Sequence, residues 1–301
     1  MENNYGFIVS DLRKELWNAQ MDILKRFIDI CKSNNLKYIV YGGTLLGTIR
    51  HDGYIPWDDD IDIMMPREDY EKFLKIGQEY LGDNYFLQSH HTEKSYVYGH
   101  AQIRNTNTTC LISSSYTDLS LNKNCGIFID IFPCDYVPDD YKERMKHTKK
   151  IKRLKQLAQN KVYKYNSKNK FKTILKRLAV FGYFLFHDLE KTIIKYNNLA
   201  MKYKDTNTVA LASFLPCYEK NVWDKKLFEE LTTHKFEDML VSIPVEYDKI
   251  LTKMYDNYME IQENNNNTFH WSMYFDVNKS YKDYKNLSKE EVKELIKQFS
   301  F

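Results

Sequence analysis

The residues that could do chemistry cluster in one run, Tyr41 to Met65, YGGTLLGTIRHDGYIPWDDDIDIMM. Asp60 and Asp62 alternate with Ile61 and Ile63 at the period of a strand. The two carboxylates therefore share one face, roughly 6.6 Å apart, while the isoleucines point to the other. Carboxylates so placed repel, and without a counter-charge one of them tends to keep its proton. A hard divalent cation removes the conflict, since Mg²⁺ favours carboxylate oxygens together with substrate phosphates. Asp60 and Asp62 are thus candidate ligands for Mg²⁺ or Mn²⁺. Upstream, Gly42, Gly43 and Thr44 lie between a predicted strand and a predicted helix. Glycine lets backbone N–H groups approach an anion, and a helix N-terminus favours negative charge. Alone, the glycine pair is an ordinary turn; beside an Asp-hydrophobic-Asp strand it reads as a phosphate cradle facing a metal site. A third carboxylate, Asp130, sits in Ile127–Phe132 (IFIDIF), a lone charge in an apolar strand, which is costly unless paired or metal-bound. It would complete the metal shell or act as base toward an acceptor hydroxyl. Taken one at a time, these motifs are equally an acidic turn, a plain turn and a buried cap. Together, with matching strand contexts, they point to phosphoryl-group chemistry.

The elements that must hold these residues follow from periodicity. Leu12, Leu16, Ala19, Ile23, Phe27 and Ile30 recur at helical spacing, predicting a helix over 11–31 with Ser10 as cap and Asn34–Asn35 as stop. A strand over 37–41, a helix over 45–50, a strand over 60–64 and a helix over 68–80 follow, with Pro66 suited to the first turn of the last. Residues 84–112 alternate as strands, and 126–132 reads as a buried strand closed by Pro133. Basic helices then run from about 139 to 198. A helix over 247–261 and a polar loop over 263–267 end the pattern. This order indicates an α/β or α+β core with helical additions. The division expected is a catalytic core over 1–140, a basic helical segment over 141–200 and a C-terminal part over 201–301 packing on the core.

Composition narrows the class. The chain has 301 residues, 43% hydrophobic and 28% charged, ordinary for a soluble globular protein. Five cysteines form no CxxC pair, which argues against a disulfide framework or zinc knuckle and for a reducing compartment. The polar N-terminus and the lack of a membrane-length apolar run make the cytoplasm the expected location. The net charge of +3 hides an asymmetry: residues 142–177 carry 15 Lys/Arg against Glu143 alone. That segment, followed by LAVFGYFLF (178–186), reads either as a peripheral element at the inner face of an anionic membrane or as a solvated helical face followed by a core helix. No recognition motif accompanies the charge, so nucleic acid is not an expected partner.

At Tyr41–Phe73, Gly126–Pro138 (GIFIDIFPCDYVP) and, more faintly, Lys235–Met259, the sequence resembles the LicD family, which includes the fukutin-related enzymes. The resemblance implies an α+β nucleotidyltransferase-like fold, a mixed sheet flanked by helices, with a helical insertion and a C-terminal helical part. It implies Mg²⁺-dependent transfer of phosphocholine from CDP-choline to a hydroxyl of a cell-surface glycan, lipid-linked teichoic acid, capsule or lipopolysaccharide precursor, releasing CMP. It places metal and catalytic carboxylates at Asp60, Asp62 and Asp130, with Gly43 and Thr44 in the phosphate loop. Arg50, His51, Trp57, Asp58 and Arg67 match motif positions without assigned roles.

Two departures from the family pattern stand out. Gln102 takes a position that is often Lys, before Ile103–Arg104, which would shift phosphate charge onto Arg104. Asp256–Asn257 and a single His270 replace Gly-Asp and a doubled histidine near the C-terminus. Arg50 and Arg104 are candidates to grip phosphate. A choline site needs aromatic faces, for which Trp57, Tyr54 and Trp271 are candidates, and His51 is the reserve base. His100 and His270 are candidates of the same ambiguous kind. Other readings keep the fold but move ribitol or glycerol phosphate, or transfer a nucleotide and release pyrophosphate. A regulatory, non-enzymatic member would not need all three aspartates.

Overall fold

The computed structural model describes residues 2–4, 7–112, 114–261 and 273–299. Two short antiparallel strands, β1 (Glu2–Asn4) and β2 (Phe7–Val9), lead into helix α1 (Asp11–Ser33). As the sequence predicts, the Ser10 hydroxyl accepts a hydrogen bond from the Arg13 N–H at 3.2 Å and caps α1, which ends at Ser33 with Asn34 as its C-terminal cap. Next come β3 (Ile39–Val40), α2 (Gly42–His51), β4 (Asp62–Pro66) and α3 (Arg67–Leu81). Strands β5 (Tyr85–Gln88), β6 (Ala101–Asn105) and β7 (Thr109–Ile112), helix α4 (Ser115–Ser120) and strand β8 (Phe128–Val137) follow. Three helices, α5 (Tyr141–Tyr163), α6 (Lys170–Phe184) and α7 (Leu189–Ala200), precede β9 (Thr208–Ala210) and β10 (Val222–Asp224). The hairpin β11 (Leu231–Phe236) and β12 (Met239–Pro244), helix α8 (Tyr247–Tyr255), strand β13 (Met273–Asp276) and helix α9 (Lys289–Phe299) complete the order. The class is α+β, a sheet core flanked by helices, as the element order leads one to expect.

The chain forms two units whose segments alternate along the sequence. One takes residues 1–87, 102–131 and 226–301; the other takes 88–101 and 132–225. The basic stretch 141–200 thus falls in the second unit, and 201–301 is shared between the two.

The first unit is built on the inner face of α1. Leu16, Ile23, Leu24 and Phe27 are buried with Val40, Ile61, Ile63 and Phe73, and the Phe27 ring meets Tyr38 and Phe73 edge-on at 5.1 and 5.2 Å. Strand β4 lies between β3 and β8, with Val40 opposite Ile63 across the antiparallel β3–β4 pair, and β6 pairs with both β5 and β8. A satellite cluster of Leu111, Leu119, Tyr281, Tyr284, Val292 and Ile296 ties α9 to β7. In the second unit, Ile151 and Ala158 of α5 and Ile193, Tyr196 and Ala200 of α7 form a core with Val97, Val137 and Ala210. There the later half of β8 pairs antiparallel with β9, Asp135 opposite Ala210.

Several boundaries differ from the sequence reading. β4 begins at Asp62 and not at Asp60, so Asp60 stands in the loop entering the strand, although the alternation of isoleucine inside and aspartate outside still covers both. Gly42 and Gly43 are the first residues of α2 and not a loop before it. β8 does not stop at Pro133 but runs to Val137. A proline costs only its own N–H, and ladder pairing is in place two residues later at Asp135. α8 ends at Tyr255, six residues early, because Asp256 adopts a positive φ of 57°. The hairpin β11–β12 carried no turn signal: its two-residue loop is Glu237–Asp238, with φ of 53° at Glu237 where glycine or asparagine is usual. The loop over 263–267 lies outside the described residues.

Candidate active site

Every residue of the site described here belongs to the first unit. Strand β8 brings the third aspartate to the first two: the Asp130 N–H donates to Ile61 O at 2.9 Å, so Asp130 is registered against the Asp60–Asp62 segment. Beside them, Asp58, Asp59 and Asp60 can each offer a carboxylate oxygen within 4.8 Å of one another. Burial, then Asp60 and then Asp130, Asp58 and Asp59, raise the Asp62 carboxyl well above the ordinary range. Burial, then Asp60 and Asp59, raise Asp58 likewise. Five carboxylates crowd one place, and their mutual repulsion can be relieved by retained protons or by a bound positive charge.

Helix α2 aims its N-terminus at this cluster. Gly42 holds a φ of +60°, and a Cβ there would come within 2.8 Å of Asp62 Oδ2; a Cβ on Gly43 would come within 2.5 Å of Asp58 Oδ2. The two glycines let two carboxylates touch the first turn, where backbone N–H groups have no helical partner. The buried Thr44 hydroxyl accepts from the Asp62 N–H at 2.9 Å, so its contact is with the strand that carries Asp62.

Asp130 is oriented from β6. Gln102 Nε2 donates to Asp130 Oδ1 at 2.8 Å, and Arg104 Nη2 donates to Gln102 Oε1 at 2.6 Å. Arg104 Nη1 donates to Gly126 O at 2.7 Å, and its guanidinium lies 4.4 Å from the Phe128 ring centroid. The departure from lysine at 102 therefore produces a hydrogen-bonded chain from Arg104 through Gln102 to Asp130.

The other residues singled out by sequence are placed as follows. Arg50 Nε donates to His51 Nε2 at 2.9 Å and Nη1 to Tyr258 O at 2.7 Å. Burial and then Arg50 lower the His51 pKa to about 4, which leaves the ring neutral at neutral pH. Trp57 is half-buried, its ring near His51 and Phe7. Tyr54 is buried, stacked on Trp17 at 4.5 Å and 2°, so that face is closed to a cationic ligand. Arg67 pairs with Glu71 at 3.0 Å one turn along α3. His100 is buried among Phe132, Phe214 and Tyr96 in the second unit. His270 and Trp271 lie outside the described residues.

Residues 35–156 match the family model described as LicD/FKTN/FKRP, nucleotidyltransferase domain. The chain carries a LicD-family domain. It is similar to the lipopolysaccharide cholinephosphotransferase LicD of Haemophilus influenzae, 28% identical over 246 residues that cover 80% of this chain and 89% of that one. A shorter stretch is 44% identical to an uncharacterised protein of Rickettsia typhi, over 54 residues that make up 18% of each chain. The protein is an enzyme, a phosphotransferase for substituted phosphate groups.

What the sequence reading missed lies just before the LicD domain. Arg13 Nη1 and Trp17 Nε1 each donate to Asp58 O at 3.0 Å, and Gln20 Nε2 donates to Asp59 O at 2.9 Å. Gln20 Oε1 in turn accepts from the Tyr54 hydroxyl at 3.1 Å. Three side chains at i, i+4 and i+7 on one face of α1 thus grip the carbonyls of the acidic loop of the LicD domain. The available signal was two polar side chains, Arg13 and Gln20, on the face of α1 whose leucines and isoleucines enter the core; both are buried.

Proposed function

We propose that the protein transfers phosphocholine from CDP-choline to a hydroxyl of a cell-surface glycan, such as a lipopolysaccharide, teichoic acid or capsule precursor, with release of CMP. The observation that carries this reading is the five-aspartate cluster under the N-terminus of α2, in a chain similar over most of its length to a lipopolysaccharide cholinephosphotransferase. The oxygen of the acceptor attacks the phosphorus distal to the cytidine, the bond from that phosphorus to the CMP oxygen breaks, and the acceptor's proton leaves to a base.

The donor set is all carboxylate oxygen, which suits Mg²⁺ or Mn²⁺ over softer metals. Asp60, Asp62 and Asp130 would hold the ion, with Asp58 beside them. When bound it supplies the positive charge that offsets the diphosphate and the departing phosphate. Asp130 would take the acceptor's proton, its carboxylate held from β6 by Gln102. Arg104 acts through Gln102 and keeps Asp130 in one orientation. Gly42 and Gly43 keep the first turn of α2 open to anionic groups. Trp57 is the described aromatic candidate for facing the quaternary ammonium, and His51, whose Nε2 accepts from Arg50, stays a reserve base.

Incubation with Mg²⁺ and, separately, CDP-choline, CDP-ribitol, CTP or ATP tests the reading. CMP release from CDP-choline in the presence of a glycan acceptor supports it. CMP from CDP-ribitol alone moves the assignment to another substituted phosphate, and pyrophosphate from CTP or ATP replaces it with nucleotidyl transfer.

A further inference from the structure

Helix α6 in the second unit is amphipathic in the wrong sense for a core helix. Its protein-facing side is narrow, with Thr173 and Val180 buried. Phe171, Ile174, Leu175, Leu178 and Phe181 are exposed, Leu178 at 60% and Phe181 at 62%, and Leu185 and Phe186 just beyond the helix continue the series. Phe171, Leu178 and Leu185 are successive sevens, with Ile174, Leu175 and Phe181 between them. At about 100° per residue they make one apolar stripe opposite Thr173 and Val180. At 1.5 Å per residue the stripe is about 21 Å long. The core helix foreseen as one reading of 178–186 is therefore not what forms.

The charge around the stripe says what covers it. Lys170 and Arg177 fall on one flank and Lys172 on the other, and residues 144–187 contain 14 Lys/Arg and no Asp or Glu. Arg177 Nε donates to Tyr165 O at 3.0 Å, which fixes that cation at its flank. At the end of the stripe, Phe184, Leu185, Phe186 and His187 line an open pocket with Asp188, Lys191 and Lys195. A second copy of the chain docked stripe to stripe would bring these cations together. An acyl-chain surface rimmed by anionic headgroups matches both the apolar stripe and its flanks.

We infer that α6 and the turn over 185–187 are a membrane-docking surface, lying in the interface of an anionic bilayer with Phe171, Leu178, Phe181, Leu185 and Phe186 inserted. This surface is independent of the transfer reaction, and no donor or metal enters its test. Among the described residues no helix is long and apolar enough to cross a membrane, so the mode is peripheral.

The experiment is co-sedimentation of the full chain with phosphatidylcholine vesicles, with and without phosphatidylglycerol. Alongside it, Phe181→Trp reports insertion through its emission, and a Leu178→Asp, Phe181→Asp double variant tests the stripe. Because both positions are exposed, the double variant keeps its fold, checked by circular dichroism. The expected result is recovery with anionic vesicles that falls as salt rises. A blue shift of the added tryptophan with quenching by brominated acyl chains accompanies it, and the double variant loses on the order of tenfold or more in partitioning. Equal recovery on neutral and anionic vesicles, or undiminished binding by the double variant, overturns the proposal. So does a wild-type dimer in solution that the double variant converts to monomer, since a second copy would then be the occupant.

Discussion

Asp60, Asp62 and Asp130 stand in one cluster but not in one situation. Asp60 and Asp62 face the other acids, whereas Asp130 has an amide donor of its own, Gln102, and an arginine behind it. Changing Asp60→Asn or Asp62→Asn removes charge from the proposed cation site, so donor binding and turnover should fall together with the fold intact. For Asp130→Asn, calorimetric titration with CDP-choline and Mg²⁺ should still show donor binding while a single-turnover assay shows no transfer, the pattern of an interaction made in the transition state. Donor binding lost as deeply as in Asp60→Asn would make Asp130 a metal ligand first. His51 would then be the base to test. With its pKa lowered to about 4 by burial and Arg50, a base role for it would place the acid limb of the rate near that pH and not near 6.5.

The element that decides the geometry of the acids is α1, although it contributes no acid to the cluster. Gln20→Leu removes the donor to Asp59 O and the acceptor of the Tyr54 hydroxyl while keeping the size of the side chain. Such supporting residues typically change metal affinity or activity about 10–100-fold. Gln20→Leu should therefore weaken Mg²⁺ activation in a titration of rate against metal, with turnover partly recovered at saturating metal. Normal metal dependence would reduce the grip to a packing detail. Gly42→Ala makes a sharper test of α2. The positive φ and the approach of Asp62 Oδ2 both oppose a methyl group, so stability should fall by about 1–2 kcal/mol in urea titration. Activity should fall further still, because Asp62 is the atom displaced.

For the whole molecule, the raised carboxyls make a statement about stability. A folded-state pKa above that of the unfolded chain means the fold holds its protons more tightly. The contribution of Asp58 and Asp62 is therefore present below the ordinary carboxylate range, near 3.9, and is lost as pH rises through their raised values. Without metal, the protein at neutral pH should be less stable than its own Asp62→Asn variant. In differential scanning calorimetry with chelator, the variant should melt higher at pH 7.5 and the gap should close toward pH 4. Mg²⁺ should raise the wild-type midpoint and leave the variant much less changed. A wild type that melts above the variant in chelator at pH 7.5 would contradict this account. The same crowding shows why part of the molecule was legible from sequence. The alternation at Ile61–Ile63 and the lone Asp130 announce their chemistry because charge next to core is costly, and the cap at Ser10 fixes α1 to the residue. The Glu237 turn, the run of β8 past Pro133 and the alternation of segments between two units depend on distant partners, which local spacing does not encode. The grip of Arg13, Trp17 and Gln20 on two carbonyls was invisible for the same reason, since carbonyls leave no mark on the residue types that carry them.

That grip also separates two borders that are easily taken as one. The stretch by which the family is recognised begins at residue 35, yet the hands that hold the Asp58–Asp59 backbone in place are Arg13, Trp17 and Gln20, more than a dozen positions earlier. A fragment or chimera cut where the likeness starts would keep all three aspartates and every glycine of the motif while leaving the acidic loop unheld. Swapping the motif into a related protein would require its first helix to travel with it.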